Sequence, residues 1–194
     1  MPQSAGASGI DIFSIGDYVD KAILYFAHKK SIGKLALQKG VFLFLLSISN
    51  KKNYDFKKLA NLAGFEPYKL GPFSEFIEGE LDMLKGYGKV STVGAQENSI
   101  VSANVDPTKE YSFGKEETEI LDDISLLLDR LDPKELAFYV YYHPTINKEI
   151  RKYFTTNSEL KPEFEQNKKK FVDRLLRKGI LDDDAATLIL YGDS

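Results

Sequence analysis

The sequence predicts a mainly α protein with a winged-helix-like N-terminal module, a short β-ribbon and a helical C-terminal part, and three observations carry that prediction. Apolar residues recur at three- and four-residue spacing through most of the chain, the period of a helix with one buried face. Pro67, Gly71 and Pro72 fall within six residues and force an extended, turning joint between two helical stretches. The helix after that joint is followed at once by two short β-branched runs around a polar turn at residues 94–99, which is the helix-then-ribbon order of a winged helix.

Element by element, Met1 to Gly16 reads as a flexible tail. Asp17 is placed to cap a helix beginning at Tyr18, with Val19, Ala22, Ile23 and Phe26 at helical spacing and Lys29-Lys30 suited to the negative end of its dipole. After a break at Gly33, a second helix is expected over residues 34–48. Leu35, Gln38, Val41, Phe42, Leu45 and Leu46 make it apolar around most of its circumference, so it is the expected central core helix. A polar turn at 50–53 leads to a short third helix over 55–62, stopped by Gly64. The fourth helix is expected to take Pro72 in its first turn, to present Phe73, Phe76, Ile77, Leu81 and Leu84 as its stripe, and to end at Gly86 and Gly88. Residues 90–93 and 100–101 form the ribbon. Beyond Asp106-Pro107, helices are expected at 115–130, 133–142, 146–153, 162–178 and 183–190. The chain thus divides into a tail (1–16), a winged-helix-like module (17–104) and a helical extension (105–194), which either shares the module's core or stands apart from it.

Composition narrows the chemistry. Of the 194 residues 43% are apolar and 28% charged, ordinary globular usage that excludes wholesale disorder. There is no cysteine, hence no disulfide framework and no thiolate metal site, and only His28 and His143 could contribute imidazole. The first nine residues lack the basic start and apolar core of a signal peptide. The most apolar run, 41–48, is far short of the roughly 20 residues that span a bilayer. A cytoplasmic protein with no membrane segment, no metal and no cofactor is the expectation.

Charge is distributed unevenly. From Lys21 to Lys69 there are ten lysines and two acids, a balance of +8 in a chain whose net charge is −3. Such a stretch could neutralise phosphates or attract an acidic partner, or simply solvate helix faces. Arginine, the commonest reader of guanine edges, is absent before Arg130. The fourth helix carries Glu75, Glu78, Glu80 and Asp82, which would repel a phosphate backbone. Lys51, Lys52, Lys57 and Lys58 are therefore the candidate contacts to nucleic acid or to an acidic partner.

Enzyme signatures are missing. Asp182-Asp183-Asp184 stands where a helix start favours acids rather than in a metal-ligand pattern. His143, in Tyr141-Tyr142-His143-Pro144, closes a helix with no partner motif, and Gly86-Tyr87-Gly88 follows a helix instead of opening one toward a phosphate. Tyr139, Tyr141 and Tyr142 straddle both faces of one helix, so at least one is expected to reach the surface. Tyr139 is assigned to the core, and Tyr141 and Tyr142 are the candidate interface residues.

Leu37-Gln38-Lys39, the segment Tyr68-Lys69-Leu70-Gly71-Pro72-Phe73-Ser74, then Leu81 and Leu84 before a glycine turn, resemble the pattern of the YwgA-like and Panacea-type proteins. These are small prokaryotic and phage-associated proteins related to the SocA antitoxin. The resemblance spans residues 18–93, with Leu70 where the pattern usually has tyrosine, and extends to Pro133-Lys134-Glu135-Leu136 and Tyr142-His143-Pro144. It implies an antitoxin- or adaptor-like protein that binds a toxin or regulatory protein, with Tyr68, Gly71, Pro72 and Phe73 as the motif turn. The expected function is accordingly a non-enzymatic protein–protein interaction module. The alternative is a winged-helix DNA-binding regulator that uses the lysine-rich segment 29–58.

Overall fold

The computed structural model describes residues 12–192. The protein is mainly α, with a small antiparallel sheet. Helix α1 (Ile12–Lys29) starts earlier than the expected cap at Asp17, and Asp17 instead lies within it, pairing one turn on with Lys21 at 2.9 Å. Residues 12–16 are thus helix, and the rest of the expected tail lies outside the described residues.

After the two-residue strand β1 (Ile32–Gly33) comes α2 (Lys34–Lys52), one turn longer than its pattern suggested and closed by Asn53 in the left-handed conformation. Every residue of α2 from Leu37 to Leu46 is buried, as expected for a helix surrounded by others: α1, α3 (Phe56–Leu62), α6 (Lys115–Arg130) and α7 (Pro133–Tyr141) all pack on it. Phe42 stands at the centre, with the rings of Phe56, Phe65 and Phe154 set edge-on around it at 5.0–5.2 Å, a favourable arrangement for aromatic quadrupoles.

The proline-glycine joint is bracketed by a strand pair the sequence did not reveal, β2 (Phe65–Glu66) and β3 (Phe73–Ser74), antiparallel with Phe65 opposite Ser74. Helix α4 (Glu75–Gly86) therefore begins after Ser74, whose hydroxyl accepts the Ile77 N–H, and not with Pro72 in its first turn. The ribbon of β4 (Val90–Val93) and β5 (Ile100–Ala103) encloses one 3-10 turn, Gln96–Asn98. β1 pairs with β5, giving the sheet order β1-β5-β4.

Past the short α5 (Pro107–Glu110), α6 and α7 run as the periodicity predicts, followed by α8 (Lys148–Phe154). The long helix expected at 162–178 is broken at Asn167 into α9 (Lys161–Gln166) and α10 (Lys168–Arg177). Asp182 caps α11 (Asp183–Tyr191) by accepting the Ala185 N–H at 2.7 Å, which accounts for the aspartate triplet. Phe138 of α7 stacks on Tyr142 and Phe171 and meets Phe164 edge-on, so α7, α9 and α10 share an aromatic cluster. That cluster is continuous with the core around α2, so the 104–108 joint does not interrupt the buried interior.

Candidate functional site

Gln38 and Lys39 of α2 and residues 68–74 converge on one joint. Gln38, buried on α2, grips Ser74 by both backbone groups: the Ser74 N–H donates to Oε1 at 3.1 Å, and Nε2 donates to the Ser74 carbonyl at 3.0 Å. The same Nε2 reaches Glu78 Oε1 at 2.8 Å, and the other oxygen of Glu78 pairs with Lys34. The Ser74 hydroxyl donates to the Ala63 carbonyl at 2.5 Å while capping α4. Gly71 has φ +123°, and a β-carbon there would sit 2.9 Å from Lys39 Cε, so the turn lies directly on the next residue of α2.

Tyr68 and Phe73 close the outer side of the turn, their rings 5.1 Å apart. Tyr68 donates its hydroxyl to Glu97 on the ribbon turn, and Lys69 pairs with the same carboxylate at 3.5 Å. The C-terminal half reaches this joint as well: the Glu159 N–H donates to the Lys69 carbonyl at 3.0 Å, and the Tyr141 hydroxyl to the Tyr68 carbonyl at 3.5 Å. Tyr68, Gly71, Pro72 and Phe73 thus sit where α2, the ribbon and the helical extension meet.

Beside the joint is a cavity of about 360 Å³ lined by Lys39, Leu70, Glu97, Lys134, Leu136 and Leu160 among others. Burial pulls the Lys39 ammonium down to a pKa of about 8, and the nearby Glu97 charge offsets this only in part. Nothing in the spacing of Lys39 distinguished it from its nine neighbouring lysines. The available signal was its place on a helix apolar all round, where a lysine must be buried or break the pattern.

The lysine-rich segment looks different in three dimensions. Lys21 pairs with Asp17 and Glu117, Lys29 with Asp122, Lys30 with Asp129, Lys34 with Glu78, and Lys69 with Glu97. Of the four candidate contacts, Lys52 is engaged with the Tyr18 hydroxyl at 2.7 Å and Glu117 at 3.8 Å. Lys51, Lys57 and Lys58 are exposed at the end of α2 and on α3.

Tyr141 and Tyr142 are corrected from interface to core: both are buried, Tyr142 stacked on Phe138 and bonded to Glu165. Tyr139 is the half-buried one of the three, because α7 turns its 138/141/142 face to α9 and α10. His143 at the end of α7 accepts the Thr145 N–H on Nδ1 at 3.3 Å, and burial lowers its pKa to about 4, so the ring is neutral near pH 7. Among the described residues no three His, Asp or Glu side chains group as a metal site, and no helix is long and apolar enough to cross a membrane.

One ionisable pair was not anticipated. Asp20 of α1 and Glu80 of α4 face each other, with the Tyr111 hydroxyl donating to Asp20 Oδ2 at 2.9 Å and Asp20 Oδ1 buried without a donor. Burial, then the Asp20 charge, pushes Glu80 up to about 7, and burial raises Asp20 as well. Asp17 adds to the repulsion and Lys89 relieves it. Because the folded pKa of Glu80 lies above the ordinary carboxylate value, its proton is held more tightly in the folded state. The pair's contribution is complete below the ordinary carboxylate range and is lost as pH rises through about 7. The melting temperature of the parent protein should therefore fall between about pH 5 and pH 8, and Glu80→Gln should flatten that slope. Parallel pH profiles for the two proteins would dispose of proton sharing.

No family model, curated protein or solved structure matches the chain.

Proposed function

We propose that the protein is a non-enzymatic protein–protein interaction module, antitoxin- or adaptor-like, whose N-terminal part is a winged-helix-like unit that docks its partner through the ribbon. The observation that carries this reading is the ribbon tip. Val93 and Ile100 stand directly opposite each other in the ladder and are 74% and 48% exposed, an apolar cross-strand pair turned to solvent. Residues 90–106 contain no lysine, arginine or histidine, so a wing of this composition has nothing to offer phosphates. The order helix, strand, helices, ribbon, with β1 on the far strand of the ribbon, supports the winged-helix reading. The resemblance to YwgA-like and Panacea-type proteins supports the class of partner, a toxin or regulatory protein.

Lys51, Lys57 and Lys58 favour the second reading, DNA binding, because among the described residues they are the exposed lysines of this segment that form no ion pair. They are few, and α4 beyond them is acidic. One comparison separates the readings. Val93→Lys with Ile100→Glu replaces the apolar pair by opposite charges across the same rung, which keeps the register. Affinity purification from the native host should lose the enriched protein partner with this double variant. It should retain that partner when Lys51, Lys52, Lys57 and Lys58 are changed to Ser. Equal recovery with both variants would sink the ribbon as the docking element. A duplex DNA shift by the parent protein at about 50 mM salt, lost in the lysine variant, would establish the regulator instead.

A further inference from the structure

We infer that the cavity beside the Gly71 turn is a binding site for a small monocarboxylate with an apolar body, held by Lys39. This goes beyond the interaction reading and does not depend on it. Lys39 is 4% exposed and lines the cavity. Its ammonium can donate three hydrogen bonds, yet it makes one, a long one of 3.5 Å to the Leu35 carbonyl of its own helix. Among the described residues no carboxylate forms an ion pair with it, and Glu97, whose charge it feels, is engaged by Tyr68 and Lys69. A buried cation without a counter-charge is costly, and a chain that only needed packing at this position would do better with methionine or leucine. What the amine lacks is an anion, and the open space next to it is where one fits.

The surroundings define the anion. About 360 Å³ is at the small end of the range of ligand pockets, which run from about 300 Å³ upward. Leu70, Leu136 and Leu160 supply walls for an apolar body. The other cation at the cavity, Lys134, is held by both oxygens of Glu163 at 3.0 and 2.8 Å, leaving Lys39 to meet the ligand's charge. With Glu97 answered by Lys69, the Lys39 ammonium is left to balance a single negative charge, and Glu97 close by opposes a dianion such as phosphate. Because Leu70 belongs to the motif turn, Leu136 to α7 and Leu160 to the extension, an occupant would touch both halves of the chain at once.

Calorimetric titration of the full chain with hexanoate and with benzoate tests this, alongside hexanamide, which has the same body without the charge, and inorganic phosphate. Saturable binding of at least one carboxylate is expected, about tenfold or more tighter than hexanamide and than phosphate. Lys39→Met keeps the length of the stem and removes the charge, and should lower carboxylate affinity by a similar factor while the thermal melt stays cooperative. Should that variant fail to fold, Leu160→Trp decides, because it fills the cavity from another lining residue, leaves Lys39 in place and should also abolish binding. No saturable carboxylate binding up to about 10 mM, equal binding of hexanoate and hexanamide, tighter binding of phosphate, or unchanged affinity in Leu160→Trp would each overturn the assignment.

Discussion

Gly71→Val should lower the stability of the protein by about 3 kcal/mol and its melting temperature by about 6–12 °C. Two independent causes add. At φ +123° a β-branched residue is strained in any surroundings, which alone supports about 1–3 kcal/mol. In addition, the new β-carbon meets Lys39 Cε at 2.9 Å. A surface lysine would swing away into water at little cost, but this one is buried and could yield only by pushing its stem and charge into the cavity. Gly71→Ala carries the same two causes with less bulk and should fall between parent and valine. If the valine variant melts with the parent, the joint is not held as the structure has it, and the packing of the turn on α2 must be abandoned.

Gln38→Leu should cost about 2–4 kcal/mol, more than the loss of a side chain of that size on a helix would suggest. The substitution keeps bulk and helix propensity. It leaves the Ser74 N–H buried without this acceptor, removes a second donor from a carbonyl that otherwise accepts only the first bond of α4, and strips one donor from Glu78, a buried group left unpaired costing about 1–3 kcal/mol. Gln38→Glu makes a sharper control: it restores an acceptor for the Ser74 N–H but cannot donate to the carbonyl, and it sets a second carboxylate against Glu78. It should be at least as destabilising at neutral pH and recover in part on acidification. Chemical denaturation of the three proteins reads this directly. A Gln38→Leu midpoint equal to the parent's would mean that water satisfies Ser74 and that the amide is dispensable.

The helices were legible because their signals are local. An apolar period, the aspartate triplet at 182–184 or the stop at Gly64 each acts within a few residues, and the structure follows these to within about a turn. Where prediction failed, the deciding interaction was distant. Nothing local pairs Phe65 with Ser74; that register depends on Gln38, thirty-six residues away in sequence, holding one end. Asn167 breaks a helix whose pattern continues on both sides, because α9 and α10 must each turn a phenylalanine onto Phe138. Tyr141 and Tyr142 were candidate interface residues because the three tyrosines straddle both faces of the helix, and both are buried because α7 packs against α2 on one side and α9 and α10 on another. The lysines misled in the opposite sense. Their number is plain in the sequence, but the acids that answer them lie mostly on α6, about ninety residues further on.

That separation has a consequence for the newborn chain. The ribosome delivers α1, α2 and α3 well before it delivers α6, so for as long as synthesis takes to reach Asp129 the amines of Lys21, Lys29 and Lys30 lack the carboxylates of α6 that later face them. During that interval the stretch from Lys21 to Lys69, with ten lysines to two acids, stands next to ribosomal RNA answered only by the acids of α1, α4 and the ribbon, and arrival of α6 both completes the wall around α2 and supplies the remaining counter-charges. A fragment that stops at the ribbon is frozen in the earlier condition. Such a fragment should bind nucleic acid more readily than the finished protein, through the lysines that α6 would otherwise have engaged.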